Sequence, residues 1–193
     1  MIDRDRVLQL AEYRTILRDL TRRAKRSKTT RRKLTLFCLA CCCGLRVSEI
    51  TALTLVDLRL DSPSPSLRVR CGKGGKSRTV PLTWDAGTLA DLVGWVALRR
   101  AEGAGDRDLL LVTRLGRRIS RGSARRQFIS ACRSIGRRVT IHAGRHTFVS
   151  RALHEGVPIT MVARAAGHAS LHTTSQYAHV YEEEGLALGS VFA

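Results

Sequence analysis

The chain has 193 residues, enough for one domain with a well-buried core, so neither a disulfide framework nor a metal staple is needed to hold it. Lys and Arg outnumber Asp and Glu by 34 to 16, and the resulting charge of +18 attracts polyanions, most simply the phosphates of DNA or RNA. No signal peptide, bilayer-length apolar run or basic amphipathic helix with bulky aromatics argues for a membrane partner, so the expected setting is cytoplasmic and associated with the nucleoid.

Residues 7–26 place Val7, Leu10, Ile16, Leu17 and Leu20 on one stripe and a dense basic set on the other, which predicts an amphipathic helix. After a break at Ser27–Thr30, the apolar content of Arg31–Cys43 predicts a helix through the core. It contains Cys38, Cys41, Cys42 and Cys43, whose neighbouring positions point in different directions and read as small core residues rather than disulfide partners. Cys71 and Cys132 lack the Cys-x-x-Cys partner that a zinc site would use, so no metal is expected. Gly44 ends the core helix, and Leu45–Ile50 begins a short one.

The Ser62–Ser66 tract, with its two prolines, is a loop. Leu67–Arg70 and Arg78–Leu82 then flank Gly72-Lys73-Gly74-Gly75-Lys76, the pattern of a β-hairpin with a flexible basic tip. Asp85 caps a further helix, and Leu109–Val112 is a short buried strand or turn. Ser120–Arg138 is expected to form one helix with Ala124, Phe128, Ala131, Cys132 and Ile135 on its inner side. Its outer side carries Arg121, Arg125, Arg126, Arg133 and Arg137 with no acidic residue, a face suited to a nucleic-acid backbone. Helices follow at about 142–155 and 158–166, and a last one holds Tyr177. The fold class is therefore α+β, mainly helical, with a small antiparallel sheet.

Chemistry concentrates near the carboxyl end, in His142-Ala143-Gly144-Arg145-His146, Gly167-His168 and Tyr177. Breaking a phosphodiester without a metal needs a nucleophile, cations on the nonbridging oxygens and an acid for the leaving oxygen. Arginine suits the second task because its planar fork stays charged and grips two oxygens, which makes Arg46 and Arg145 candidates. His142 and His146 stand four apart, as metal-binding pairs do, but Ala143 occupies the place of a zinc protease's glutamate. No nucleotide-binding loop or carboxylate cluster implies ATP or magnesium, so no cofactor is expected.

These pieces resemble the tyrosine recombinases, also called the phage-integrase family, from about residue 8 to the end. The resemblance rests on Gly44-Leu45-Arg46-Val47-Ser48-Glu49-Ile50, on Gly72–Arg78 leading to Val80-Pro81-Leu82, on His142-x-x-Arg145-His146, on Gly167-His168 and on Thr173-Thr174-x-x-Tyr177-x-His179. It implies a site-specific recombinase or integrase that cuts and rejoins DNA through a 3′-phosphotyrosine, without metal or ATP. Carried over by position, Arg46 and Arg145 hold the scissile phosphate, Lys73 protonates the departing 5′ oxygen and His142 assists proton transfer near the nucleophile. His168 hydrogen-bonds a nonbridging oxygen, Tyr177 attacks phosphorus, and Glu49 positions charged neighbours.

Lys76 shares the hairpin tip with Lys73, and the family pattern favours Lys73. His146, His172, His179 and Tyr181 are expected to pack or to face solvent. Double-stranded DNA is the implied partner, with a homo-oligomer, a tetrameric synapse, assembled on it. Competing readings are an inactive DNA-binding protein, suggested by a superficial helix-turn-helix at 142–166, and a type IB topoisomerase-like relaxing enzyme. Residues 1–7 read as a remnant or linker, 8–193 as the catalytic domain, and the family's DNA-clamping core-binding domain is expected to be absent. Two further features are Gly144, where the family usually has leucine and where glycine should loosen the helix, and the tail with Glu182–Glu184, Leu186, Leu188, Val191 and Phe192, which resembles either a docking segment or a frayed end.

Overall fold

A computed structural model of the chain describes residues 7–70, 77–178 and 180. Lys73, Lys76, His179, Tyr181 and the tail discussed above lie outside them. Among the described residues the order is α1 (Leu10–Ala24), α2 (Lys28–Cys41), α3 (Val47–Ile50), β1 (Leu58–Arg59), β2 (Ser66–Val69) and β3 (Arg78–Pro81). Then come α4 (Ala86–Ala101), α5 (Arg121–Ala131), α6 (Ile141–His154), α7 (Ile159–Ala166) and α8 (Leu171–Ser175). None of these helices is long and apolar enough to cross a membrane.

The core is built around α2. Leu34, Leu36, Phe37, Cys38, Leu39, Ala40 and Cys41 are all buried because α1, α4, α5 and α6 pack on different sides of the helix. Such all-round burial suits an apolar helix with no polar face to keep wet. Ser27 caps its start, accepting from the Thr30 amide at 3.2 Å, and so adds a turn ahead of the boundary expected at Arg31. An aromatic column of Tyr13, Phe37 and Phe128, with centroids 5.7 and 5.9 Å apart, joins α1, α2 and α5. Tyr13, omitted from the expected α1 stripe, is buried and holds the Arg151 guanidinium of α6 over its ring at 4.0 Å.

Four of the five described cysteines behave as small apolar residues, whereas Cys42 is half-buried with its Sγ 3.2 Å from the Tyr13 hydroxyl. Cys38, Cys41, Cys43 and Cys132 are buried free thiols, and burial pushes the Cys41 and Cys43 thiols up, away from reactive thiolate. The sheet has the expected hairpin, with Leu67 opposite Val80 and Val69 opposite Arg78, plus the two-residue edge strand β1 pairing Leu58 with Leu67. So short a strand carries too little alternation to show in sequence. Leu109–Val112 is neither a strand nor a turn of its own; Leu109 and Val112 form isolated bridges to Thr54 and Arg118.

Three expectations change. The helix expected from Ser120 to Arg138 ends at Ala131 and tightens into a 3-10 turn, Cys132–Ile135, closed by Gly136 at φ 72°. Arg137 then points not to a nucleic acid but to Glu12, at 2.5 and 2.6 Å, and to the Val7 carbonyl, tying α1 to this turn. Val7 is itself buried against Val180.

Gly144 is the third. A Cβ there would lie 2.9 Å from the Ala40 Cβ, 3.1 Å from the Cys41 Sγ and 3.2 Å from Phe128, so glycine lets α6 seat directly on α2 instead of loosening it. Gly144→Leu is therefore expected to lower stability by about 1–3 kcal/mol through overpacking, read as a lower urea midpoint at unchanged m-value.

Candidate active site

The site forms where the C-terminal end of α2, the start of α3, the base of β3, α6 and the α7–α8 region meet. Gly44, at φ 65°, turns the chain out of α2 where a Cβ would sit 2.3 Å from the Phe148 ring. That turn frees the Gly44 carbonyl to accept from Arg145 Nη1 at 2.8 Å and brings Arg46 to the N-cap of α3. The Arg46 amide donates to Glu49 Oε2 at 2.8 Å, while its guanidinium donates to Glu49 Oε1 at 3.1 Å and to the Gly167 carbonyl at 3.3 Å.

Glu49 also receives both terminal nitrogens of Arg78, each at 2.8 Å, and Arg78 Nε donates to the Ala165 carbonyl at 2.7 Å. The Glu49 and Arg78 side chains are 1% and 8% exposed, so this is a buried bidentate pair. Burial pushes the Glu49 carboxyl up, but the Arg78 hydrogen bonds, the Arg46 amide and both positive charges outweigh it and hold the group below its ordinary value. Arg78 was read only as a strand residue; its position opposite Val69 in the ladder gives no sign of a buried anion far along the chain.

Arg145 is 8% exposed, and its Nη2 is buried with no hydrogen-bond partner among the described residues. Burial, then the charge of Arg46, lowers its pKa to about 10, so it is a charged group short of an anion at neutral pH. His168 follows Gly167, which takes the left-handed conformation at φ 69° to end α7, and its Nδ1 lies 2.8 Å from the Thr174 hydroxyl. Burial, then Arg145 and Arg46, depress His168 to about 4, making it neutral at physiological pH. Where Thr174 donates to Nδ1, Nε2–H remains a neutral donor.

Tyr177 lies in the turn after α8, two residues past its last helical residue, and not inside a helix. It is 5% exposed and stacks with both His146 and His168, with centroids 5.4 and 6.1 Å from its own. Its hydroxyl lies 2.6 Å from His146 Nδ1. Burial raises the Tyr177 pKa, with Arg145 opposing, so the surrounding cations do not by themselves deliver a phenolate.

Arg46, Glu49, Arg145, His168 and Tyr177 are thus gathered around one volume, and Arg78 and His146 join them. His142 is not in that group: it is exposed on the first turn of α6, lining a groove with Arg137, Arg138, Thr140 and His146. Lys73 lies outside the described residues. His146 was expected to pack or face solvent; only the approach of the turn after α8 to α6, which no spacing reveals, puts it on the tyrosine. Among the described residues no group of three His, Cys, Asp or Glu side chains could hold a metal ion.

Removing the Glu49 charge strands Arg78. Glu49→Gln is expected to cost about 3 kcal/mol or more, measured by urea unfolding at pH 7. Because the folded carboxyl sits below its unfolded value, this contribution is complete above the ordinary carboxylate range. It disappears as pH falls through the folded pKa, so wild type and variant should converge in acid.

The geometry can be set beside known proteins. Residues 6–184 match the model of the phage integrase family. Tyrosine recombinase XerC of Chlamydia muridarum is 38% identical over 144 residues, covering 71% of this chain and 43% of that protein. Tyrosine recombinase XerD of Ralstonia nicotianae is 36% identical over 148 residues, covering 72% and 46%. The chain thus aligns with less than half the length of these relatives. The XerA recombinase crystal structure superposes with a TM-score of 0.75 at 27% identity, covering 90% of this chain and 60% of that one. XerH bound to its palindromic difH substrate, in a post-cleavage complex, shares the fold with a TM-score of 0.75 at 24% identity, covering 92% and 50%. With a family model spanning nearly its whole length and a matching arrangement of helices and sheet, the chain belongs to the phage integrase family.

Proposed function

We propose that the protein is a site-specific DNA recombinase that cuts and rejoins strands through a 3′-phosphotyrosine at Tyr177. The observation that carries this reading is the buried Nη2 of Arg145, unpartnered among the described residues, in the same volume as Arg46, His168 and the Tyr177 hydroxyl. A buried donor on a charged group is costly unless something fills it, and a phosphodiester oxygen does so. Arg46 and Arg145 neutralise the charge that builds on the nonbridging oxygens, and neutral His168 donates a further hydrogen bond.

The phenolic oxygen attacks phosphorus, the bond to the 5′ oxygen breaks, and Lys73 supplies the proton that leaves with it. His142 assists proton transfer at the edge of the site. Because the new ester keeps the energy of the bond it replaces, a DNA hydroxyl can reverse the step, and neither metal nor ATP enters. Duplex DNA is the substrate, held in part by the exposed Arg121, Arg125, Arg126 and Arg133. Exchange between two sites calls for four protomers, so the working unit is a homotetramer on DNA in the cytoplasm, at the nucleoid. Residues 8–193 act as the catalytic domain, and weak, strongly salt-dependent binding is expected of that domain without a clamping partner.

A nicked suicide substrate that loses its 5′ fragment should trap the chain on DNA as a band of reduced mobility on denaturing gels. Tyr177→Phe should abolish that band. Arg145→Ala should slow its appearance roughly 10²–10³-fold, by analogy with loss of one transition-state donor. A band that survives in Tyr177→Phe would refute the nucleophile. Relaxation of a single plasmid without exchange between two sites would identify a topoisomerase-like enzyme instead.

A further inference from the structure

The proposed reaction leaves one need unmet: burial raises the Tyr177 pKa, so the hydroxyl must lose its proton to a specific acceptor as it attacks. The group positioned to take it is on α6. We propose that His146 is the general base for Tyr177, its Nδ1 accepting the phenolic proton during cleavage and returning it when the tyrosine departs. This assignment rests on the phosphotyrosine reading above and adds a residue that the sequence analysis left to packing.

The argument is geometric first. His146 Nδ1 is 2.6 Å from the Tyr177 hydroxyl, within the range for direct proton transfer, and the two rings stack with centroids 5.4 Å apart and an interplanar angle of 26°. His142, one turn earlier on the same helix, is exposed and is not the residue at the phenol. His168 also stacks on Tyr177, at 6.1 Å, but its Nδ1 is engaged by Thr174.

The protons balance. With the proton of the neutral ring on Nε2 and the Nδ1 lone pair toward the phenol, the phenolic O–H bond breaks as the O–P bond forms, and His146 becomes imidazolium. On rejoining, the 5′ hydroxyl attacks phosphorus and gives its proton back to the acid that protonated the 5′ oxygen in cleavage, the O–P bond to Tyr177 breaks, and the tyrosine oxygen takes its own proton back from Nδ1. Among the described residues, titratable and charged groups near His146 include Tyr177 after α8, His168 before α8, Arg145 beside it in α6, and Arg137, Arg138 and His142 along the groove. Among the histidines, His168 is already neutral well below the range in question, so its protonation does not enter a profile taken above about pH 5.

The test is single-turnover adduct formation by the full chain on a suicide substrate from pH 5 to 9. Wild type should lose rate as pH falls and His146 takes up a proton, because only neutral imidazole accepts one. His146→Asn and His146→Phe, the second keeping a stacked ring, should each be slower by roughly 10²-fold and lose that inflection, with DNA affinity unchanged. His142→Ala should keep the inflection. A fluorinated tyrosine at position 177, which ionises more readily, should recover much of the rate in the His146 variants and little in wild type.

The base assignment fails if both His146 variants cleave at the wild-type rate with the wild-type profile, or cleave faster, which would make the bond a restraint on the nucleophile. It also fails if fluorination helps wild type and variants equally. A wild-type chain that forms no adduct, or an adduct that persists in Tyr177→Phe, would instead sink the phosphotyrosine reading and this assignment with it.

Discussion

Three guanidinium groups crowd a small volume at the junction of α3, β3 and α6, and like charges so placed repel unless an anion lies among them. Glu49 is that anion. It takes two hydrogen bonds from Arg78 and two from Arg46, and its charge also reaches Arg145. The carboxylate is satisfied on both oxygens, so its burial is compensated, and one of its two partners, Arg78, comes from another element of the chain. Through Arg78 the base of the hairpin is fixed to α3 and to the Ala165 carbonyl of α7; through Arg46, α3 is fixed to the Gly167 carbonyl just ahead of His168.

Not every cation in the cluster is treated alike. Arg78 is spent on Glu49 and the backbone, whereas Arg145 makes one bond to Gly44 and keeps a buried nitrogen unpaired among the described residues. The difference separates a residue that organises the site from one that awaits a ligand. His168 shows the same logic in another form: the arginines and burial hold it neutral, so it offers a hydrogen bond without adding a fourth positive charge.

The two histidines stacked on Tyr177 are held in different ways. His168 is anchored by Thr174 before the chain reaches the tyrosine, so its ring orientation is set locally. His146 belongs to α6, a helix pressed against α2 at Gly144, and its distance from the hydroxyl depends on how closely that seat is made. A glycine in the middle of a helix is therefore part of the active-site geometry, because a larger side chain there would push α6, with Arg145 and His146, outward.

From sequence alone the all-helical core around Arg31–Cys43, the hairpin, most helix boundaries and the separated arginine, histidine and tyrosine motifs could be read, since periodicity, caps and glycine stops are local signals. The placement of Tyr177 outside a helix, the break of the α5 helix at Ala131 and the use of Arg137 on Glu12 could not, because each depends on partners more than a turn away. Neither could the division of labour within the site. Which of two histidines four residues apart meets the phenol, and which arginine is paired and which left open, follow from the packing of α6 on α2 and the approach of the turn after α8, contacts between segments that share no pattern in the chain.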